Sequence, residues 1–121
     1  MEVIKVELYK LKIEKYNVKK AINFPDTFKI DFEKKDGQTE VILYYIDKIS
    51  DVEKFKKTVR AENMTRDNRI IVVYKKGRND DVTRDNIHTF FDNIEFKNRV
   101  PMLCSLSDEL SAFCKSYDKV K

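Results

Sequence analysis

With 121 residues, 41% of them hydrophobic and 38% charged, the chain is long enough to bury one core without staples, and its apolar residues come in blocks that argue against disorder. The net charge of +4 permits an anionic partner without demanding one, and the basic residues come as scattered pairs and not as a nucleic-acid arm. Gly37 and Gly77 are the only glycines, too few for a glycine-rich phosphate or dinucleotide loop, and one histidine with two cysteines outside CxxC spacing gives no zinc site.

Val3 to Ile13 fits a helix face through Ile4, Leu8 and Leu11, and also a strand through Ile4, Val6 and Leu8; the helix is preferred. Val18 to Phe24 reads as a strand stopped by Pro25, which cannot donate to a ladder. Asp26 to Phe32 reads as a short helix with Phe28 and Phe32 inward, and Lys34 to Gly37 as a turn. Thr39 to Ile46 is β-branched and aromatic, apolar enough to be buried on both faces. A helix follows from Ser50, which can cap it while Glu53 reaches back, with Ile49 as a hydrophobic staple. On that reading Ser50→Ala costs roughly 1 kcal/mol.

Arg69 to Tyr74 is the next buried strand. It stops at Lys75-Lys76-Gly77-Arg78, and a helix is predicted over Thr83 to Phe91, with Ile87, Phe90 and Phe91 inward. Val100 to Leu106 and Leu110 to Tyr117 form an apolar strand pair joined by Ser107-Asp108-Glu109. Strand, helix, strand order makes Val41–Ile46 and Arg69–Tyr74 adjacent parallel strands with a right-handed crossover. The expected fold is a single α/β domain over residues 1–121, a small Rossmann-like sandwich with a mostly parallel sheet and an antiparallel C-terminal strand.

No apolar stretch reaches the roughly 18 residues of a membrane span, and the charged N-terminus does not read as a signal peptide. Cys104 and Cys114 lie in apolar surroundings and read as buried reduced thiols of a cytoplasmic protein, with a disulfide across neighbouring strands the less favoured alternative.

Several segments in order resemble a small bacterial family of uncharacterised domains. These are Asn23-Phe24-Pro25-Asp26-Thr27-Phe28, Val41 to Ile46 with the helix after it, Tyr74-Lys75-Lys76, Asp81-Val82-Thr83-Arg84-Asp85, and Asp108 with Leu110-Ser111-Ala112-Phe113. The family has proline where this chain has Lys75 and tryptophan where it has Leu110. Its pattern is similar to the C-terminal half of a Rossmann-like methyltransferase. The resemblance implies a trimmed α/β fold and no methyl transfer, since the cofactor half has no counterpart.

In an open parallel sheet, ligands bind at the carboxyl ends of the strands. Lys75, Lys76, Thr83 and Arg84 are therefore the candidate anion-binding residues, with Asn23, Ser50 and Asp108 as further edge candidates beside Asp47, Arg78 and Ser107. The competing reading pairs Arg84 with Asp80, Asp81, Asp85 or Asp108 to hold the turn. His88 has no enforced cysteine partner, and Asp80-Asp81 and Asp108-Glu109 suit turns and helix starts, so no catalytic set is named. No metal and no cofactor is expected, nicotinamide and adenosyl groups included. The leading reading is a non-catalytic cytoplasmic accessory or binding module of unknown partner, a protein or a small anion. The alternatives are a small-anion binding protein or weak enzyme using the Lys75–Arg84 edge, and, less favoured, a nucleic-acid-associated protein. A stacking platform for the last could draw only on Tyr9, Tyr16 and Tyr45. No membrane partner is expected. An exposed apolar patch favours the protein partner, a concave basic pocket the anion, and a broad basic face the nucleic acid.

Overall fold

The computed structural model describes residues 4–5, 8–30 and 35–119. Strand β1 (Ile4–Lys5) leads into a 3-10 turn at Tyr9–Leu11, followed by β2 (Lys19–Ile22), β3 (Phe28–Lys29) and β4 (Thr39–Ile46). Helix α1 (Ser50–Ala61), β5 (Met64–Lys75), a short α2 (Arg84–Thr89), β6 (Phe96–Ser105) and β7 (Leu110–Tyr117) complete the chain. Five strands form one sheet in the order β2-β4-β5-β7-β6, and β1 pairs with β3 apart from it.

The β4 and β5 strands pair parallel, Val41 with Arg69 through Ile46 with Tyr74. Both are buried on both faces because the sheet is covered on both sides. Val41, Leu43, Tyr45, Ile71 and Val73 pack under Leu11, Ile13, Tyr16 and Phe28 of the N-terminal segment. On the other face Ile42, Tyr44, Ile70, Val72 and Phe113 pack under Val52, Phe55 and Val59 of α1 and Ile87 of α2.

The Rossmann-like sandwich expected from the sequence is corrected here. The protein is a small β-rich fold around one mixed sheet, with 41% of the described residues in strands and 19% in helices. Both helices cover the same face, whereas a doubly wound fold places helices on both. After β5 a second crossover runs through α2, and β5 and β6 are parallel with β7 between them. The six residues of α2 lead to the edge strand β6, and β7 inserts beside β5 antiparallel, Ile70 opposite Lys115 and Tyr74 opposite Ser111. A continuous apolar strand records burial on both faces and not what covers them, and here the N-terminal segment covers one face in place of helices, which is why β4 and β5 suggested a Rossmann-like sandwich.

Local expectations are corrected in the same way. Among the described residues of the expected N-terminal helix, Ile4–Lys5 form β1 and Tyr9–Leu11 the 3-10 turn. Residues 26–27 form a turn and Phe28–Lys29 a strand parallel to β1 in place of a helix. Phe32 lies outside the described residues. Ser50 is exposed and makes no cap, since Ile49 is the N-cap residue of α1 and no side chain caps it. Asp51, 4% exposed, does the work: its Oδ2 accepts the N–H groups of Asp47 at 3.0 Å and Lys48 at 3.2 Å. We expect Asp51→Ala to lower stability by about 1–3 kcal/mol, the cost of leaving such groups unpaired. Ser50→Ala should stay within about 0.5 kcal/mol. Urea midpoints of the two variants decide the matter, and the reverse order would restore Ser50 as the cap.

Candidate functional site

The carboxyl ends of β2, β4 and β5 bring some of the expected edge residues together. Asn23 leaves β2 with φ of 69°, a conformation that asparagine tolerates, and its amide donates to the Tyr45 carbonyl at 2.8 Å. Gly77, with φ of 69°, allows the turn after β5. Arg78 folds back across that turn. Its guanidinium donates to the Asp47 carbonyl at 2.6 Å and to the Asp80 carboxylate, also at 2.6 Å. Beside them an open depression of about 440 Å³ is lined by Asn23, Tyr45, Asp47, Lys48, Asp51 and Lys54 among others. Its two carboxylates balance its two ammonium groups, and the Asp51 carboxylate already takes the backbone amides before α1 that an anion would use.

The four turn residues do not converge. Lys75 is exposed. Lys76 donates to the Ser107 carbonyl at 2.7 Å and to Ser105, which ties it to the β6–β7 turn where Asp108 is exposed. Thr83 caps α2 by accepting the Asn86 N–H at 3.3 Å. Arg84 donates to the Met102 carbonyl through Nε and Nη2 at 3.3 and 3.2 Å, pairs with Asp85 at 3.2 Å, and lies over the Phe113 ring. Among the described residues Lys76 and Arg84 are held by protein groups, and the cations of this turn share no common focus. Nor do three or more His, Cys, Asp or Glu side chains among the described residues gather in a way that could hold a metal.

Two features escaped sequence reading. The first is the outer edge of β6. Arg99 pairs with Cys114 and Cys104 with Ala112, so residues 100–103 stand opposite Phe113 alone and bulge from the sheet. Val100 is 82% exposed and Leu103 65%, with Ile94 at 68% just before the strand. Tyr9, 64% exposed, sits on the 3-10 turn, which packs against β6. The backbone of this edge is partly closed to another strand. Pro101 has no N–H, the Met102 carbonyl is taken by Arg84, and the Asn98 N–H is taken by Asn93 Oδ1 at 3.1 Å. A proline inside an apolar run was the available signal, since such runs belong at edges or bulges. Burial raises the Cys104 thiol pKa, and the ammonium groups of Lys10 and Lys76 oppose the shift, which puts both lysines electrostatically close to the end of β6.

The second is Lys115, fully buried in β7 on the helix face. Its Nζ donates to Asn98 Oδ1 at 2.6 Å and to the Phe96 carbonyl at 3.4 Å, above the Phe91 ring. Burial pushes its pKa down to about 8, with Asp92 opposing. Next to it His88 packs on Phe113 at 5.3 Å, and its buried Nε2 has no hydrogen-bond partner. Burial, then Lys115 and Arg84, lower the His88 pKa. The two thiols are free and buried. No helix among the described residues is long and apolar enough to cross a membrane.

These features define a small β-rich domain with an apolar projection on one edge strand. Comparison with family models, with curated proteins and with solved structures finds no match.

Proposed function

We propose that this chain is a non-catalytic binding module that engages a protein partner through the β6 bulge. The observation that carries the reading is the pair Val100 and Leu103, 82% and 65% exposed on one short projection of an edge strand. Large apolar side chains that share a patch, unlike scattered ones, mark interaction surfaces. The carboxyl-edge depression supports a small-anion reading less well, because its two ammonium groups face two carboxylates and the Asp51 carboxylate holds the backbone amides an anion would use.

Panning a random peptide display library on the wild-type protein tests this reading, with the double variant Val100→Asp/Leu103→Asp as the counter-target. Both side chains point to solvent, so the variant should keep the wild-type urea midpoint within about 0.5 kcal/mol. Peptides enriched on the wild type should lose at least tenfold in affinity on the variant. Enriched peptides that bind both equally, or a library that yields no binder, would contradict the reading.

A further inference from the structure

We infer that the segment this surface accepts is acidic as well as apolar, and that it docks by side chains and not by adding a strand. The inference rests on the binding-module reading of β6 and names the chemistry of its partner. Its first support is charge. The ten residues of β6 include Lys97 and Arg99 and no acid. Lys97 shares Asp118 at 3.2 Å, but among the described residues Arg99 has no carboxylate, and its Nη1 donates only to the neighbouring Asn98 carbonyl. The turn packed on β6 ends at Lys12, which adds an exposed ammonium group. An apolar knob beside an unanswered guanidinium and further ammonium groups complements a segment with large apolar residues next to aspartate or glutamate.

The second support is the backbone. A strand that zips onto β6 needs a row of free amides and carbonyls, and Pro101, the Arg84 bond to Met102 and the Asn93 bond to Asn98 interrupt that row. A second copy of this chain is disfavoured as the occupant, because it would bring Lys97 and Arg99 against the same cations.

The test uses the peptides recovered from the display selection. Each is synthesised as selected and with every aspartate and glutamate replaced by its amide, then titrated against wild-type protein and Arg99→Gln. We expect the selected sequences to be enriched in acids and the amide forms to bind at least fivefold more weakly. Arg99→Gln should shrink that gap, and raised salt should weaken the acidic forms. If acidic and amide forms bind alike while Val100→Asp/Leu103→Asp still abolishes binding, the surface stands and its acidic specificity falls. If binding ignores the Val100 and Leu103 substitutions, or no peptide is recovered, both fall. Backbone N-methylation of the peptide distinguishes the docking mode: retained affinity supports side-chain docking, and loss at alternate positions would show strand addition and overturn it.

Discussion

Phe55→Ala is expected to remove about 3–5 kcal/mol of stability. Phe55 is completely buried in α1. Its ring stacks on Tyr44 of β4 at 4.7 Å and meets the edge of Phe91 at 5.9 Å, so one side chain joins the sheet, the long helix and the segment after α2. Truncation loses both the transfer free energy of the ring and the contacts of its neighbours, which cannot close around the void while β4 holds Tyr44 in register. A small domain holds about 5–15 kcal/mol in all. The variant should therefore melt roughly 10–20 °C below wild type. A cost under about 1 kcal/mol would mean that α1 does not pack on this face.

A larger departure from ordinary behaviour is expected from Lys115. Its pKa is about 8 in the folded protein against an ordinary 10.5. Between those values the unfolded chain holds the proton and the folded chain has released it, so this group makes stability rise with pH across that window, at up to about 1.4 kcal/mol per pH unit. Below pH 8 the protein carries a buried charge whose bonds to Asn98 and Phe96 only partly replace water. Cys114 acts in the opposite sense. Burial pushes its thiol up to about 12, so above the ordinary value of 9 the unfolded chain releases a proton that the folded chain keeps, and stability falls. The difference between wild type and Lys115→Met isolates the lysine. Urea midpoints between pH 7 and 10 should rise with pH for wild type relative to Lys115→Met. Parallel pH profiles would show that Lys115 keeps an ordinary pKa.

Much of the strand content was legible. Thr39–Ile46, Arg69–Tyr74 and Leu110–Tyr117 announce themselves because residues buried on both faces are apolar at every step, and their placement within β4, β5 and β7 follows. The start of α1 was legible as a position and not as a mechanism. Serine and aspartate are neighbours there, and only the fold decides which side chain meets the free amides. The parallel pairing of Thr39–Ile46 with Arg69–Tyr74 was legible from the strand, helix, strand order, whereas the scarcity of helix was not, because a six-residue α2 and a longer helix both begin with a capping threonine and an inward isoleucine. The N-terminal segment was misread for a related reason. Its apolar residues cover a sheet face from irregular backbone, so they follow neither helical nor strand period. Of the edge candidates, Asn23 and Asp47 do border one depression, whereas Lys76, Thr83 and Arg84 each serve a separate local bond. The β6 projection was hidden because Val100 and Leu103 look like core residues. Exposure depends on the four-against-one mismatch with β7, a property of the pairing and not of either strand alone.

The most direct test of the account is a map of where a selected peptide lies. Methyl and amide chemical shifts, followed as the peptide is titrated into labelled protein, report contact residue by residue. The perturbations should centre on Val100 and Leu103 and spread to Arg99, Ile94 and Tyr9. Perturbations centred on Asn23, Asp47 and Lys54 at the carboxyl edge of the sheet, with β6 unmoved, would contradict it.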